Sequence, residues 1–123
     1  MSLITLQTDF GTRDAFVGIM KGVILGIDPE LRVVDLSHHI PPFDLRLPGL
    51  NWVAAVPYFP SGTVHVAVVD PGVGTDRDII VAVIHDQLFL CPDNGLLTPV
   101  IEEFGAPKEC YTVENLSWRA KPP

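Results

Sequence analysis

The sequence has 123 residues, of which 47% are hydrophobic, and its formal net charge is −7. This length fits a single domain that buries roughly two-thirds of its unfolded surface, and no apolar run approaches the ~20 residues of a membrane span. The acidic balance disfavours a nucleic-acid partner. The N-terminus lacks the basic segment of a signal peptide, so a cytoplasmic location is expected.

The first half of the chain predicts two strands separated by a helix, with an acid just beyond the first strand. Residues 3–6 form a short apolar strand that leads to Asp9. Apolar residues then recur at helical spacing over residues 16–27, with Asp14 among the candidate N-caps. Residues 32–38 form the next strand, which leads into a loop stiffened by prolines.

The predicted helix carries three glycines four residues apart, namely Gly18, Gly22 and Gly26. Each glycine costs a helix about 1 kcal/mol relative to alanine. Because residues at this spacing share one side of a helix, the pattern indicates a face pressed against backbone or a ligand.

The second half predicts a helix, a strand, a hairpin, a further helix and a last strand. Residues 64–69 are apolar on both faces, as in strands of a parallel sheet that helices cover on both sides. The elements are a helix at 45–56, the strand at 64–69, hairpin strands at 79–84 and 87–91, a helix at 96–104 and a strand at 109–113. The predicted fold class is α/β, a mostly parallel β-sheet covered by helices on both faces with one antiparallel hairpin, in one domain over residues 1–123.

The loop after the strand at 64–69 joins an acid to a base. Asp70 follows the strand, a Pro/Gly-rich segment at 71–74 shapes the loop, and Arg77 closes it. In open α/β sheets, ligands bind at this carboxyl edge. Asp70 held ionised by the Arg77 guanidinium could orient or deprotonate a water. The alternative is a salt bridge that only stabilises the turn.

Asp9 has the equivalent position after the first strand, and two interpretations of it are open. A carboxylate at such a strand end can hold both hydroxyls of a ribose, or it can cap the helix that follows. Asp9-Phe10-Gly11 also matches the metal-binding tripeptide of kinases, but no glycine loop or catalytic loop precedes it.

Histidines and further acids near the strand ends raise the possibility of a metal site. His38 and His39 are adjacent on an extended segment, where successive side chains point to opposite faces. No H-x-x-x-H or H-E-x-x-H spacing is present, so no metal site is predicted. Residues 93–95, Asp-Asn-Gly, are predicted to form a turn that caps the next helix.

The two cysteines, Cys91 and Cys110, have no C-x-x-C spacing. They are predicted to be buried thiols rather than a disulfide or a metal pair. No serine or cysteine stands in a nucleophile-elbow motif, so covalent catalysis is not indicated.

Several motifs in register cover nearly the whole chain. They are Thr8-Asp9-Phe10-Gly11, Gly18-x-Met20-Lys21-Gly22, Asp35-x-Ser37-His38, Ile40-Pro41-Pro42-x-Asp44, Val69-Asp70-Pro71-Gly72-Val73-Gly74-Thr75-x-Arg77 and Pro92-Asp93-Asn94-Gly95. With these motifs the chain resembles the N-terminal domain of the adenosine-forming S-adenosylmethionine hydrolases. These enzymes are also called SAM hydroxide adenosyltransferases, and they are related to the fluorinase and the chlorinase.

The resemblance implies a homotrimer that binds S-adenosyl-L-methionine between this α/β domain and a β domain of a neighbouring subunit. Water or hydroxide attacks C5′ of the ribose and methionine leaves, without a cofactor or a metal. By the same likeness Asp70 and Arg77 are catalytic. The implied substrate-binding residues are Asp9, which holds the ribose hydroxyls, Phe43, which lines the nucleoside pocket, Asp14 and Val73.

The resemblance also implies features that would follow Pro123. These are a third catalytic residue, a histidine in a Phe-His-Gly-Arg-Asp segment, and a second domain. We therefore expect the 123-residue chain to fold but to hydrolyse S-adenosylmethionine little or not at all. Two alternatives stay open, a metal-dependent nucleotide phosphatase using Asp9, Asp93 and His38, and a non-catalytic nucleoside-binding domain.

Overall fold

The computed structural model describes residues 2–70 and 77–113. These residues form six strands and three α-helices. In chain order they are β1 (Leu3–Thr8), α1 (Phe16–Ile27), β2 (Arg32–Ser37), α2 (Leu47–Ala55) with a 3-10 turn at Val56–Tyr58, β3 (Val64–Val68), β4 (Ile79–Ile84), β5 (Gln87–Pro92), α3 (Thr98–Phe104) and β6 (Glu109–Thr112). None of the helices in the described residues is long and apolar enough to cross a membrane.

The six described strands form one sheet in the order β2-β1-β3-β5-β4-β6. β1 pairs in parallel with β2 and β3, and β3 pairs in parallel with β5. β4 pairs antiparallel with both β5 and β6. The predicted fold class, a mostly parallel α/β sheet with an antiparallel hairpin, is confirmed.

The chain reverses its direction of travel across the sheet between β1 and β3. β1 connects through α1 to β2 on one side, and β2 connects back through α2 to β3 on the other side of β1. Because such crossovers are right-handed, α1 and α2 lie on opposite faces of the sheet. The carboxyl ends of β1 and β3 therefore frame a topological switch point, where open α/β sheets bind ligands.

The core lies between one face of the sheet and the pair α2 and α3. Its largest buried side chains are Trp52 of α2 and Phe89 of β5, whose ring centroids lie 5.1 Å apart. The start of α3 packs tightly against α2 at Gly49, where a Cβ would lie 2.4 Å from the carbonyl oxygen of Leu96. Only glycine fits there, because a Cβ would overlap the Leu96 carbonyl, just before α3, and the Pro99 ring in the first turn of α3.

A hydrogen-bonded histidine lies inside this core. His65 Nδ1 is 2.7 Å from the hydroxyl of Thr5, and His65 Nε2 is paired with Oε1 of Gln87. The Gln87 amide donates in turn to the carbonyl oxygens of Val56 and Phe59. Burial lowers the pKa of His65, against the opposing effect of the hydrogen bond to Gln87.

The second face of the sheet is covered less completely than the sequence predicts. Along β3, His65 and Ala67 are buried on the core side, whereas Val64, Val66 and Val68 are half-buried on the other. The prediction that this strand is buried on both faces is therefore wrong for the residues that are described. α1 connects β1 to β2 at one side of the sheet, so it leaves β3 and β5 partly uncovered.

α1 has the predicted bounds but packs through a narrow strip. Val17 is its one fully buried residue, and Ile27 at its end is 78% exposed. A Cβ built at Gly18, Gly22 or Gly26 would have no atom within 4 Å. No described residue makes the contact that the glycine pattern predicts.

The two cysteines have different surroundings, and both are free. Cys91 is buried as predicted, and burial raises the pKa of its thiol to about 12. Cys110 is exposed, so the prediction of a second buried thiol is wrong. The reason is its place on β6, an edge strand whose four residues are all exposed.

Candidate active site

Asp9 and Asp70 follow neighbouring parallel strands at the switch point. Thr8, the last residue of β1, is in register with Val68, the last residue of β3. Asp9 is the next residue after β1, and Asp70 comes two residues after β3. The negative charge of Asp70 is one of the causes that raise the pKa of Asp9. The structure thus brings together the two acids whose equivalent positions the sequence predicts.

Asp70 is buried and paired with Arg77. The Asp70 side chain is 6% exposed, and its Oδ2 forms a salt bridge with Arg77 Nε at 3.1 Å. A guanidinium beside a buried carboxylate compensates the cost of burying its charge. The Arg77 side chain is 37% exposed, which leaves part of the guanidinium accessible to a ligand. The loop between the two residues, at 71–76, lies outside the described residues.

The Asp9 carboxyl is in an environment that opposes its ionisation. Burial is the largest cause of its raised pKa, its own backbone N–H acts in the opposite direction, and repulsion from Asp70 adds to the rise. Hydroxyl donors or a cation at this position would therefore stabilise the carboxylate. The alternative role of Asp9 as a helix cap is wrong, because the N-cap of α1 is Ala15 and has no side-chain cap. For the same reason Asp14 is not the N-cap, although its Oδ1 accepts the N–H of Phe16 at 3.0 Å in the turn before the helix.

An asparagine holds the backbone just before Asp70. Asn94 Nδ2 donates to the carbonyl oxygen of Val69 at 3.0 Å. Asn94 also shapes its own turn, because its Oδ1 accepts the N–H of Leu96 and the next residue, Gly95, has a φ of +93°. The turn predicted at 93–95 is confirmed, but the prediction that it caps the next helix is wrong, because α3 begins at Thr98 with Leu97 as its N-cap. Its support of the Asp70 strand was missed, although Asn94 follows β5, the parallel neighbour of β3.

The other predicted substrate-binding residues occupy less enclosed positions. Asp14 is exposed ahead of α1. Phe43 is 83% exposed in the loop after β2, so the described residues do not enclose it. Val73 lies outside the described residues.

His38 is buried, and both of its ring nitrogens have protein partners. Nδ1 lies 2.8 Å from the Thr8 hydroxyl oxygen, and Nε2 lies 2.8 Å from Asp35 Oδ1. An imidazole engaged at both nitrogens has no lone pair to offer a metal, so the phosphatase alternative loses its histidine ligand. In residues 2–70 and 77–113, no group of three or more His, Cys, Asp or Glu side chains is placed to hold a metal ion. His39, its neighbour, is exposed, as the predicted alternation requires.

A separate groove of about 460 Å³ lies between the end of β2 and α2. Its polar lining residues are Ser37, His39 and Asn51, and the rest of its wall is apolar. It includes neither Asp9 nor Asp70. The strand-end acids and the groove are therefore distinct features of the surface.

These features define an α/β domain with a candidate ligand site at the switch point, built from a buried acid–arginine pair and a second acid. The family profile described as the SAM hydroxide adenosyltransferase N-terminal domain matches residues 4–123. The chain belongs to this family.

Relatives of known name and structure are consistent with that membership. The (R)-S-adenosyl-L-methionine hydrolase of Salinispora tropica is 41% identical over 115 residues, which are 94% of this chain and 44% of the relative. A more distant relative, the fluorinase of an Actinoplanes species, is 31% identical over 92% of this chain and 45% of its own length. The crystal structure of an uncharacterized conserved protein from Thermotoga maritima matches with a TM-score of 0.89 and 39% identity, covering 98% of this chain and 47% of that one. This chain thus spans less than half the length of these relatives.

Proposed function

We propose that the protein hydrolyses S-adenosyl-L-methionine to adenosine and L-methionine. The observation that carries the proposal is the buried Asp70, paired with Arg77 beside Asp9 at the switch point. The hydrolase relative supports the choice of substrate. The positive charge on the sulfonium of the substrate makes methionine a good leaving group, so the reaction needs no added cofactor.

The proposed reaction is a displacement at C5′ of the ribose. The water oxygen forms a bond to C5′ while the C5′–S bond breaks, and the bonding electron pair goes to sulfur to give methionine. The water proton passes to the Asp70 carboxylate, which Arg77 keeps in place. Because the leaving group is good, alignment and partial desolvation of the water supply most of the catalysis.

Asp9 is proposed to bind the ribose by accepting hydrogen bonds from its two hydroxyls. Its negative charge, together with that of Asp70, also attracts the cationic sulfonium of the substrate. Asp14, Phe43 and Val73 are proposed as further substrate contacts, with Phe43 against the nucleoside.

An acid at position 70 favours water over a halide ion as the nucleophile. A buried carboxylate repels a halide, whereas it accepts a hydrogen bond from water. The identity is also higher to the hydrolase, at 41%, than to the fluorinase, at 31%. Both observations support hydrolysis rather than halogenation.

The assembly and the location are part of the proposal. This chain is proposed to form the N-terminal α/β domain of a cytoplasmic homotrimer, with substrate bound against a β domain of a neighbouring subunit. The family profile describes an N-terminal domain, and the hydrolase relative is more than twice as long as the aligned region. The 123-residue chain alone is expected to release little product.

Incubation of the full-length natural protein with S-adenosylmethionine tests the proposal. We expect equimolar adenosine and methionine by chromatography, in the same amounts with and without EDTA. Binding without any product would favour the non-catalytic nucleoside-binding domain. Loss of product with EDTA would favour metal-dependent chemistry, and either result contradicts the proposal.

Asp70→Asn is the matched variant for this assay. The amide keeps the size of the side chain but cannot accept the water proton, so turnover is expected to fall by ~10²-fold or more. Affinity for S-adenosylmethionine should stay within about tenfold, because Asp70 acts on the water. Unchanged turnover in this variant would remove Asp70 from the mechanism.

A further inference from the structure

We propose that a chain of hydrogen bonds from Lys21 through Asp35, His38 and Thr8 positions Asp9 for substrate binding. These four are positioning residues, since they act on the substrate only through Asp9. The inference rests on the proposed function, because that function gives Asp9 its ligand. The hydrogen bonds that support the inference all lie within this polypeptide.

Each link in the chain is short. Lys21 Nζ donates to Asp35 Oδ2 at 2.6 Å, and Asp35 Oδ1 lies 2.8 Å from His38 Nε2. His38 Nδ1 lies 2.8 Å from the Thr8 hydroxyl oxygen, which accepts the backbone N–H of Phe10 at 3.2 Å. The links connect α1 and β2 to β1, and they end on the residues on either side of Asp9.

The ionised Asp35 carboxylate and the N–H of Phe10 determine which atom donates and which accepts in each hydrogen bond. Burial acts to raise the pKa of Asp35, but hydrogen bonds from Lys21 and His38 leave it below its ordinary value, so Asp35 accepts. In the neutral His38 ring, which carries one proton, that proton is therefore assigned to Nε2, and Nδ1 accepts from the Thr8 hydroxyl. The Thr8 oxygen then accepts from Phe10. Each link then joins one donor to one acceptor, and no two donors meet.

Backbone hydrogen bonds hold the same segment. The N–H of Gly11 donates to the carbonyl oxygen of His38 at 2.7 Å, and the N–H of Ile40 donates to that of Thr8 at 3.3 Å. Gly11 has a φ of +73°, the region that favours glycine. Residues 8–11 are thus attached to residues 38–40 by side chain and backbone together, with Asp9 in the middle.

This attachment matters because Asp9 lies beyond the end of its strand. A carboxylate that accepts from two hydroxyls must be fixed in both position and rotation, and residues in loops depend on neighbours for that. His38 is 5% exposed, so it is a rigid support. Without the Thr8 hydroxyl, His38 Nδ1 would lose its donor and the N–H of Phe10 its acceptor.

The pair Thr8→Val and Thr8→Ser tests the inference, because valine keeps the shape of threonine and serine keeps its hydroxyl. In Thr8→Val we expect KM for S-adenosylmethionine to rise about tenfold, the effect of one lost hydrogen bond, with a smaller change in kcat. Amide hydrogen exchange at Phe10 and Gly11 should speed up by a similar factor. Thr8→Ser should restore KM and exchange. Thr12→Val removes an exposed hydroxyl, 3.3 Å from His39, and should behave as the unchanged protein.

Unchanged KM and unchanged exchange in Thr8→Val would overturn the inference, and so would a Thr8→Ser variant as impaired as Thr8→Val. If the unchanged protein releases no adenosine, the proposed function fails. In that case the exchange comparison alone decides whether Thr8 holds the segment. If Thr8→Val does not fold, Asp35→Asn takes its place, and faster exchange at Phe10 and Gly11 is the result expected.

Discussion

Asp9 and Asp70 have the same side-chain chemistry but different surroundings. Asp70 is almost fully buried and forms a salt bridge with Arg77, whereas Asp9 is half-buried and repelled by Asp70. An acid fixed by a guanidinium suits the orientation of a water, and an acid whose pKa is raised by burial suits the binding of hydroxyls, which would stabilise its carboxylate. The two environments are the basis for giving the acids different roles in the proposed reaction.

Asp9→Ala is expected to weaken substrate binding by ~1.5–3 kcal/mol with a smaller effect on kcat. The reason is that the ribose hydroxyls keep the same hydrogen bonds in the ground state and the transition state. Calorimetric titration with S-adenosylmethionine measures the change. Asp28→Ala, which removes an exposed acid beyond the other end of α1, is the matched control. Equal affinity in the two variants would reject the ribose assignment.

His65 connects the packing of the core to pH. Its pKa in the folded protein is below the ordinary value of 6.5 because the ring is buried, so the unfolded chain takes up the proton at a higher pH. The stability that neutral His65 contributes is therefore present above about pH 6.5 and is lost as the pH falls through the folded pKa. We expect the free energy of unfolding to fall over this range by at most ~1.4 kcal/mol per pH unit.

Denaturant titrations between about pH 7.5 and pH 5 measure this slope. His65→Gln should remove the His65 contribution to the slope, at some cost in stability. His39→Gln makes the same change at an exposed histidine and should leave the slope as it is. A slope that persists in His65→Gln would show that other groups cause it.

The strand-end acids could be predicted from the sequence, but the partners of the histidines could not. Parallel strands place their carboxyl ends at one edge, so two acids after two strands are expected to be neighbours. Thr5 and Gln87, in contrast, are 60 and 22 residues from His65. Only the register of β1, β3 and β5 brings them together, and register depends on the whole sheet.

At the scale of elements, the contact between α2 and α3 leaves no space for a methyl group at Gly49. A Cβ there would meet the Leu96 carbonyl oxygen at 2.4 Å and the Pro99 ring at 2.7 Å. We expect Gly49→Ala to lower the free energy of unfolding by about 1–3 kcal/mol through overpacking. Denaturant unfolding measures the loss.

Gly22→Ala in α1 is the control for this prediction. A Cβ at Gly22 would have no atom within 4 Å, so alanine should raise the free energy of unfolding by up to about 1 kcal/mol through its helix propensity. If Gly49→Ala and Gly22→Ala proved equally stable, the close packing of α2 against α3 would be contradicted.

The hairpin of β4 and β5 could be predicted because two apolar runs separated by a two-residue turn are visible in a short stretch of sequence. His85 and Asp86 have φ values of +53° and +59°, as a two-residue hairpin turn requires. The end of β1 was predicted two residues early. Gln7 and Thr8 are polar but buried, and Gln7 donates to the carbonyl oxygen of Pro48. Polar residues paired inside a core do not have the apolar signal of a strand, so the sequence pattern ended too soon.

The start of α2 shows the same limit at a helix. The predicted start at residue 45 is two residues before the observed one at Leu47. Asp44 Oδ1 accepts the N–H groups of Arg46 and Leu47 at 3.2 and 2.9 Å. These bonds keep the preceding residues in a turn, which apolar spacing alone does not reveal.

For the whole molecule, the two faces of the sheet differ in a way that the sequence could not show. α2 and α3 enclose one face, while Val66 of β3 and Leu90 of β5 are half-buried on the other. An apolar run along a strand has the same pattern whether one face or both are covered. The chain spans less than half the length of its relatives. A surface of this kind favours contact with further protein, in agreement with the proposed trimer.

The origin of the oxygen atom in the adenosine product tests the central claim most directly. The full-length natural protein is incubated with S-adenosylmethionine in water labelled with heavy oxygen. The products are then analysed by mass spectrometry. Attack of water at C5′ predicts heavy oxygen in the 5′-hydroxyl of adenosine and unlabelled methionine. Heavy oxygen in homoserine formed with methylthioadenosine, or in methanol formed with S-adenosylhomocysteine, would place the attack at another carbon and contradict the proposed mechanism.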